Sequence, residues 1–411
     1  MRIGLFTDSY PPYINGVSTS VYNLREALKK LGHTVYIVTV NDSIIKHEYD
    51  EKEKILRIPG IPIGIYDYRL SEIYSISTVK IIKNWNLDVI HSHTEFGVGI
   101  FARILSKKFK IPLVHTYHTL YEDYTHYITH NHFNKLSKKI VKDLTKIYCV
   151  KTAKETIVPT DKIYKLFKEK YMITKNVCVI PSGIDVERFF EENVKKDKVE
   201  QIKEKYGIKK DDFTIIFVGR LASEKNIEFL LNAQRKLIEK RMTNIKLLIV
   251  GDGPEKENYI NISRKLNIFD KVIFTGKIEQ EEIQYYYQCA DAFVTASNSE
   301  TQGLTVIEAM AAGVVPICIN DMAYMDMVPK GSLFSNQNEY INRLITFSKN
   351  EELRKEYKVE IRKKAEAYSS KAYAQKVLDV YNGVLYGGKK DNTLKSKGLG
   401  NEKEKMVGNF I

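Results

Sequence analysis

The stretch Thr214-Ile-Ile-Phe-Val-Gly-Arg-Leu-Ala-Ser-Glu-Lys225 opens on β-branched and aromatic residues and closes on a glycine and two cations, Arg220 and Lys225. Thr214–Gly219 has the composition of a short buried strand, and the cations stand just beyond its carboxyl end. Four further runs of this kind follow, Lys246–Gly251, Lys271–Gly276, Ala292–Ala296 and Val315–Ile319, with helical spacing between them. The first half repeats the design independently. There Arg2–Asp8, Thr34–Val40, Asp88–His93 and Pro112–His118 are predicted strands, and Val17–Lys30 and Ser71–Lys83 predicted helices. Such alternation predicts an α/β protein with parallel sheets covered by helices on both faces. Two runs give two doubly wound domains facing a central cleft.

The junction falls near Pro181-Ser182-Gly183. The expected organisation is an N-terminal domain over 1–181, a C-terminal domain over 182–365, a helix over 366–388 packing back on the first domain, and a disordered tail over 389–411. The last helical stretch, Glu351–Leu385, is long enough to recross the junction. Ligands of such sheets bind at the carboxyl ends of the strands, which places the site in the cleft.

A chain of 411 residues fits two or three domains at roughly 100–200 residues each. With 43% hydrophobic and 28% charged residues, it has a globular balance rather than a disordered or fibrous one. No run approaches the ~18 apolar residues of a membrane-spanning helix, and Asp8 interrupts the apolar start too early for a secretory signal. The expected location is cytoplasmic. Cys149, Cys178, Cys289 and Cys318 are widely spaced, as inert reduced thiols are.

The net charge of +13 is unevenly placed. Residues 101–183 carry 16 basic and 6 acidic groups, whereas 1–100 and 184–388 are each balanced. A field concentrated in one region points to an anionic partner: a lipid surface, nucleic acid or an acidic substrate.

Ser299-Glu-Thr-Gln-Gly-Leu-Thr-Val-Ile-Glu-Ala309 places Glu300 and Glu308 eight positions apart around a glycine turn that opens a helix. Backbone N–H groups at such a start, here Leu304 and Thr305 after Gly303, form an anion site. Glu308, one turn inside, suits two ribose hydroxyls, and Glu300 a sugar hydroxyl; a capping and a surface carboxylate are the plain alternative. Arg220 and Lys225 suit a diphosphate, Arg as a fork of donors and Lys as a point charge. Gly16, at the first strand–helix junction, lets backbone approach a ligand closely. All nine histidines lie within residues 1–132, without tight spacing to other ligands and with no Asp-x-Asp motif, so no protein-bound metal is expected.

Together these pieces resemble the retaining GT-B glycosyltransferases of family four over almost the whole chain, up to about Tyr386. That resemblance implies two Rossmann-like domains and a nucleotide sugar as substrate, with no further cofactor. It implies that Arg220 and Lys225 hold the donor diphosphate, Glu308 the ribose, and Glu300 with the Gly303–Thr305 backbone the transferred sugar and phosphate. Gly16 would abut the diphosphate from the opposite domain, and His118 would contact the transferred sugar. His118, Glu300, Arg220 and Lys225 are thereby the candidate catalytic set. Asn226 stands where many relatives have Gly.

The tyrosine-rich string His115–Ile128 resembles that of the bacterial diacylglycerol glucosyltransferases, implying UDP-glucose as donor and diacylglycerol as acceptor. Beyond it, Phe133, Leu136, Ile140, Val141, Leu144, Ile147 and Tyr148 fall on one arc of a helical wheel. Lys135, Lys138, Lys139, Lys142 and Lys146 fall opposite. Such a lysine face attracts an anionic leaflet by roughly 1 kcal/mol per residue, so peripheral contact with the inner face of the plasma membrane is expected. An ordinary surface helix with its stripe in the core is the bland reading. The rival functions are transfer to another lipid or a soluble sugar, such as phosphatidylinositol-type mannosyl transfer, and non-enzymatic nucleic-acid binding. No reading motif supports the last, and no nucleic-acid partner is expected.

Overall fold

The structure is a computed structural model that describes residues 1–13, 15–62, 69–71, 75–119, 142–297 and 299–387, with Val150 by its backbone alone. The N-terminal half builds an eight-stranded sheet. Its strands are Arg2–Phe6 (β1), Thr34–Val40 (β2), Glu48–Asp50 (β3), Ile55–Ile58 (β4), Val89–Ser92 (β5), Leu113–Thr116 (β6), Glu155–Val158 (β7) and Val177–Val179 (β8). They lie in the order β8-β7-β6-β5-β1-β2-β4-β3, parallel except for β3 against β4. The C-terminal half builds a six-stranded parallel sheet from Phe213–Val218 (β9), Ile245–Val250 (β10), Val272–Gly276 (β11), Ala292–Thr295 (β12), Val315–Ile319 (β13) and Leu333–Phe334 (β14). Its order is β11-β10-β9-β12-β13-β14.

Both faces of each sheet are covered, which is why the strands read as continuous apolar runs. Along β9, Phe213, Ile215 and Phe217 face one core cluster and Ile216 the other. In the first sheet Ile3 and Leu5 face one cluster and Phe6 the opposite one. A small hairpin of Gly60–Pro62 and Arg69–Ser71 stands apart from both sheets.

The helix Gly16–Lys30 starts where Asn15 accepts a hydrogen bond from the Ser18 N–H at 3.0 Å, a side-chain N-cap. The helix expected over Ser71–Lys83 instead runs Ile76–Asn84, because Arg69–Ser71 pairs as a strand and Ser71 is buried. The helical stretch Glu351–Leu385, expected to divide at 365/366, is two helices, Glu351–Glu366 and Ser370–Tyr386. Ser369 caps the second by accepting from the Ala372 N–H at 3.3 Å. That final helix lays Tyr373, Ala374, Val377, Leu378 and Tyr381 into the N-terminal core beside Val21, Leu24 and Leu28. Burial of Val377 and of Leu378 contributes roughly 1.5–3 kcal/mol each.

The expected lysine helix lies mostly outside the described residues, including Lys135, Lys138 and Lys139. Its end is described: residues 142–146 are helical and Ile147–Lys151 is a π-turn. Thr145 and Cys149 point inward, Lys142 and Lys146 are half-buried, and Ile147 is exposed. The wheel therefore misplaces Ile147, because the wider π-turn changes the angular step per residue. The tail expected to be disordered also lies outside the described residues.

Candidate active site

The carboxyl ends of the two sheets face one another, and the Ser299–Ala309 stretch lies between them. Strand β12 ends at Thr295, and the helix Leu304–Ala311 begins after Gly303, which holds φ +86° as its N-cap. A Cβ on Gly303 would stand 2.7 Å from Tyr324 Cε1, so both backbone conformation and space require glycine here. The N–H groups of Leu304 and Thr305 lie in the first turn of that helix, where the helix itself offers them no partner. From the other half, a Cβ placed on Gly16 would come within 3.9 Å of Leu304 Cδ1. The first helix of one domain and the glycine turn of the other therefore meet across the cleft.

The cation loop follows β9. Gly219 takes φ +156° and Asn226 φ +52°, a left-handed conformation that Asn tolerates better than most side chains. Lys225 Nζ donates to Glu300 Oε1, and Arg220 Nη2 donates to Glu224 Oε1. Burial by itself raises the Glu300 carboxyl, but the Lys225 charge and hydrogen bond hold it below its ordinary value. Glu300 and Lys225 thus form one unit although 75 residues separate them. Glu308 is 8% exposed and accepts a 2.8 Å hydrogen bond from the Tyr287 hydroxyl. Burial pushes its carboxyl up to about 6, against the Tyr287 hydrogen bond and the Arg188 charge.

The histidines gather at the ends of β5 and β6, whose register sets Ser92 opposite His115. His118 Nε2 lies 3.0 Å from His93 Nδ1. Burial, with the His115 charge, lowers His118 to about 3, so it is neutral at pH 7. His115 is fully buried, with Nδ1 on the Ser92 carbonyl at 3.0 Å and Nε2 on Glu95 at 3.1 Å.

The sequence did not single out the residues that hold Glu300–Gln302 from the opposite domain and from the junction between the two. Lys162 Nζ donates to the Glu300 carbonyl at 3.1 Å and to both Asp321 carboxylate oxygens at 2.9 Å. Thr160 Oγ1 donates to the Thr301 carbonyl at 2.7 Å, and Thr301 Oγ1 donates to the His118 carbonyl at 2.9 Å. The Gln302 amide and the Ser182 backbone exchange two hydrogen bonds of 2.8 Å. Lys162 had counted only toward the basic excess, whereas here it is paired internally. Tyr287 was likewise hidden, since its partner lies 21 residues on, on another helix. Among the described residues there is no group of three or more His, Cys, Asp or Glu able to hold a metal.

Two facing doubly wound domains, with a cation loop and two glutamates around a glycine turn at the cleft, are the arrangement of a GT-B glycosyltransferase. Residues 14–188 match the family Glycosyltransferase Family 4, and residues 198–364 match Glycosyl transferases group 1. The chain is 35% identical over 396 residues to the alpha-monoglucosyldiacylglycerol synthase of Acholeplasma laidlawii, covering 93% of this chain and 96% of that protein. It is 36% identical over 335 residues to the alpha-monoglucosyldiacylglycerol synthase of Streptococcus pneumoniae, covering 81% of this chain and 74% of that one. Anabaena Alr3699/HepE in complex with UDP-glucose has the same fold, with a TM-score of 0.70 at 15% identity over 93% of this chain and 100% of that chain. The chain belongs to the family-four glycosyltransferases and is a nucleotide-sugar-dependent transferase.

Proposed function

We propose that this enzyme moves glucose from UDP-glucose to the free hydroxyl of 1,2-diacylglycerol, with retention, at the inner face of the plasma membrane. The observation that carries this reading is identity of 35% to a monoglucosyldiacylglycerol synthase along 96% of that protein's length. In this reading the C-terminal domain, 182–365, holds the donor and the N-terminal domain, 1–181, the acceptor. Arg220 and Lys225 hold the diphosphate, and Glu308 accepts the ribose hydroxyls. Glu300 and the Gly303–Thr305 backbone hold the sugar and its phosphate, with Gly16 closing the diphosphate site and His118 contacting the sugar.

The chemistry follows from charge. As the anomeric bond to the diphosphate breaks, negative charge grows on the leaving oxygen. Fixed cations and backbone N–H groups aimed there stabilise the transition state more than the ground state. The departing diphosphate, on the same face of the sugar as the incoming hydroxyl, takes the acceptor proton. Lys225 is shared between Glu300 and the diphosphate, which ties sugar placement to leaving-group charge.

For the membrane contact, Lys135, Lys138, Lys139, Lys142 and Lys146 supply attraction to anionic lipid, at roughly 1 kcal/mol for each lysine near the surface. No helix among the described residues is long and apolar enough to cross a membrane. The test incubates the protein with radiolabelled UDP-glucose, UDP-galactose or GDP-mannose and diacylglycerol in phosphatidylglycerol micelles. Labelled glucosyldiacylglycerol from UDP-glucose alone is expected. Label only in a soluble sugar or a phosphatidylinositol product overturns the acceptor, and a salt-sensitive shift with DNA but none with anionic vesicles overturns the membrane reading.

A further inference from the structure

Four histidines stand at the ends of β5 and β6, and their ring nitrogens are unequally satisfied. His91 uses both, Nδ1 with the Tyr381 hydroxyl at 2.6 Å and Nε2 with Thr116 Oγ1 at 2.7 Å. His115 uses both as well, on Ser92 and Glu95. His93 is 1% exposed and uses only Nδ1, toward His118 Nε2; its Nε2 is buried with no hydrogen-bond partner. His118 is half-buried, and its Nδ1 bonds to no described residue.

This leaves two ways to place the proton between the rings. If His118 donates from Nε2, His93 accepts at Nδ1 and must carry its own proton on Nε2, as an orphaned buried N–H. If His93 donates from Nδ1, its Nε2 is a bare lone pair instead, and an unsatisfied acceptor is tolerated more readily than an unsatisfied donor. We infer that His93 is a positioning residue that donates from Nδ1 to His118 Nε2, fixing His118 as the tautomer whose Nδ1–H is a donor to the transferred sugar. The inference rests on the sugar-contacting role proposed for His118. It gives that contact a direction: His118 donates to a sugar oxygen rather than accepting from a hydroxyl.

Two other bonds hold the arrangement still. The His93 backbone N–H donates to the Phe6 carbonyl at 2.8 Å, anchoring the residue's backbone to the central strand. Thr301 Oγ1 donates to the His118 carbonyl at 2.9 Å, so the His118 ring is met by His93 of its own domain and its backbone by the loop of the other. The two ring planes make an angle of 24°, with centroids 5.3 Å apart.

The test is nitrogen NMR of the full-length enzyme with 15N-labelled histidine rings, assigned by single substitution. His93 and His118 are both expected to carry their proton on Nδ1 between pH 6 and 8; an Nε2 proton on His118 overturns the inference. Kinetics supply a second readout. His93→Phe is expected to lower kcat about tenfold, the worth of one hydrogen bond lost from the transition state. His93→Asn, whose amide nitrogen reproduces the Nδ1 donor, is expected to restore kcat to within about threefold, and equal losses in the two variants overturn the inference. Unchanged turnover in His118→Ala, with the ring protons found as expected, removes the sugar-contacting role instead.

Discussion

Glu308 shows what burial costs a single carboxyl, a cost that the proposed ribose contact would give a purpose. Its carboxyl is raised to about 6 by burial, so the folded protein holds that proton more tightly than the unfolded chain does. The stabilisation from the bound proton is complete below the ordinary value of 4.5 and is lost as pH rises through about 6. At pH 7 the ionised carboxylate is therefore a burden on the fold, and Glu308→Gln is expected to raise stability by about 2 kcal/mol, at about 1.4 kcal/mol per pKa unit. Urea unfolding at pH 7 and at pH 4 measures this, and the gain should vanish at the lower pH. The same variant should raise the donor KM about tenfold or more, since a hydrogen bond to a charged acceptor is worth roughly 1.5–3 kcal/mol. A carboxylate that only caps a helix would leave the donor KM unchanged.

At the scale of elements, the decisive junction is the turn from β12 into the helix Leu304–Ala311. Gly303→Ala forces a Cβ into a left-handed residue and to within 2.7 Å of the Tyr324 ring. The expected cost is about 1–3 kcal/mol of stability, together with loss of donor binding because the Leu304 and Thr305 N–H groups shift. Thermal unfolding and donor titration by calorimetry check both, and wild-type donor affinity would show that those N–H groups bind nothing. This turn was legible in the sequence because a glycine before an apolar helical run has few other uses. The long buried strands were legible for the same local reason. The short strands β3, β4, β7 and β8 were not: unlike the equally short but fully buried β5, β6 and β12, each has partly exposed positions that interrupt an apolar run. The division between the last two helices was expected at 365/366 and falls a few residues later, because helical spacing continues on both sides and only the Ser369 cap marks the start of the second helix. At the site, the Arg220–Lys225 loop and the two glutamates could be read as local motifs, whereas the Lys162 contacts with Glu300 and Asp321 join residues 138 and 159 positions apart.

Across the whole molecule, Glu300–Gln302 is where the two domains grip each other. Side chains or backbone of Thr160, Lys162 and His118 bond to it from the N-terminal domain, and Ser182, at the junction, bonds to Gln302. The contacts that hold the two domains against each other here are thereby also contacts to the Glu300–Gln302 loop. The Lys162–Asp321 pair carries the charge in this contact, at 18% and 14% side-chain exposure. A pair so sheltered is screened less than a surface ion pair, and removing either member leaves the other partly desolvated. Lys162→Met, Asp321→Asn and the double variant therefore form a cycle with an expected coupling of about 1–2 kcal/mol in kcat/KM for the donor. Because the pair joins the domains rather than touching the sugar, the loss should grow as the donor concentration falls and shrink near saturation. Initial rates over a range of donor concentrations measure both quantities. Additive single effects would mean that the bridge forms without helping to hold the domains closed, and that the backbone bonds at Thr301 and Gln302 do so alone.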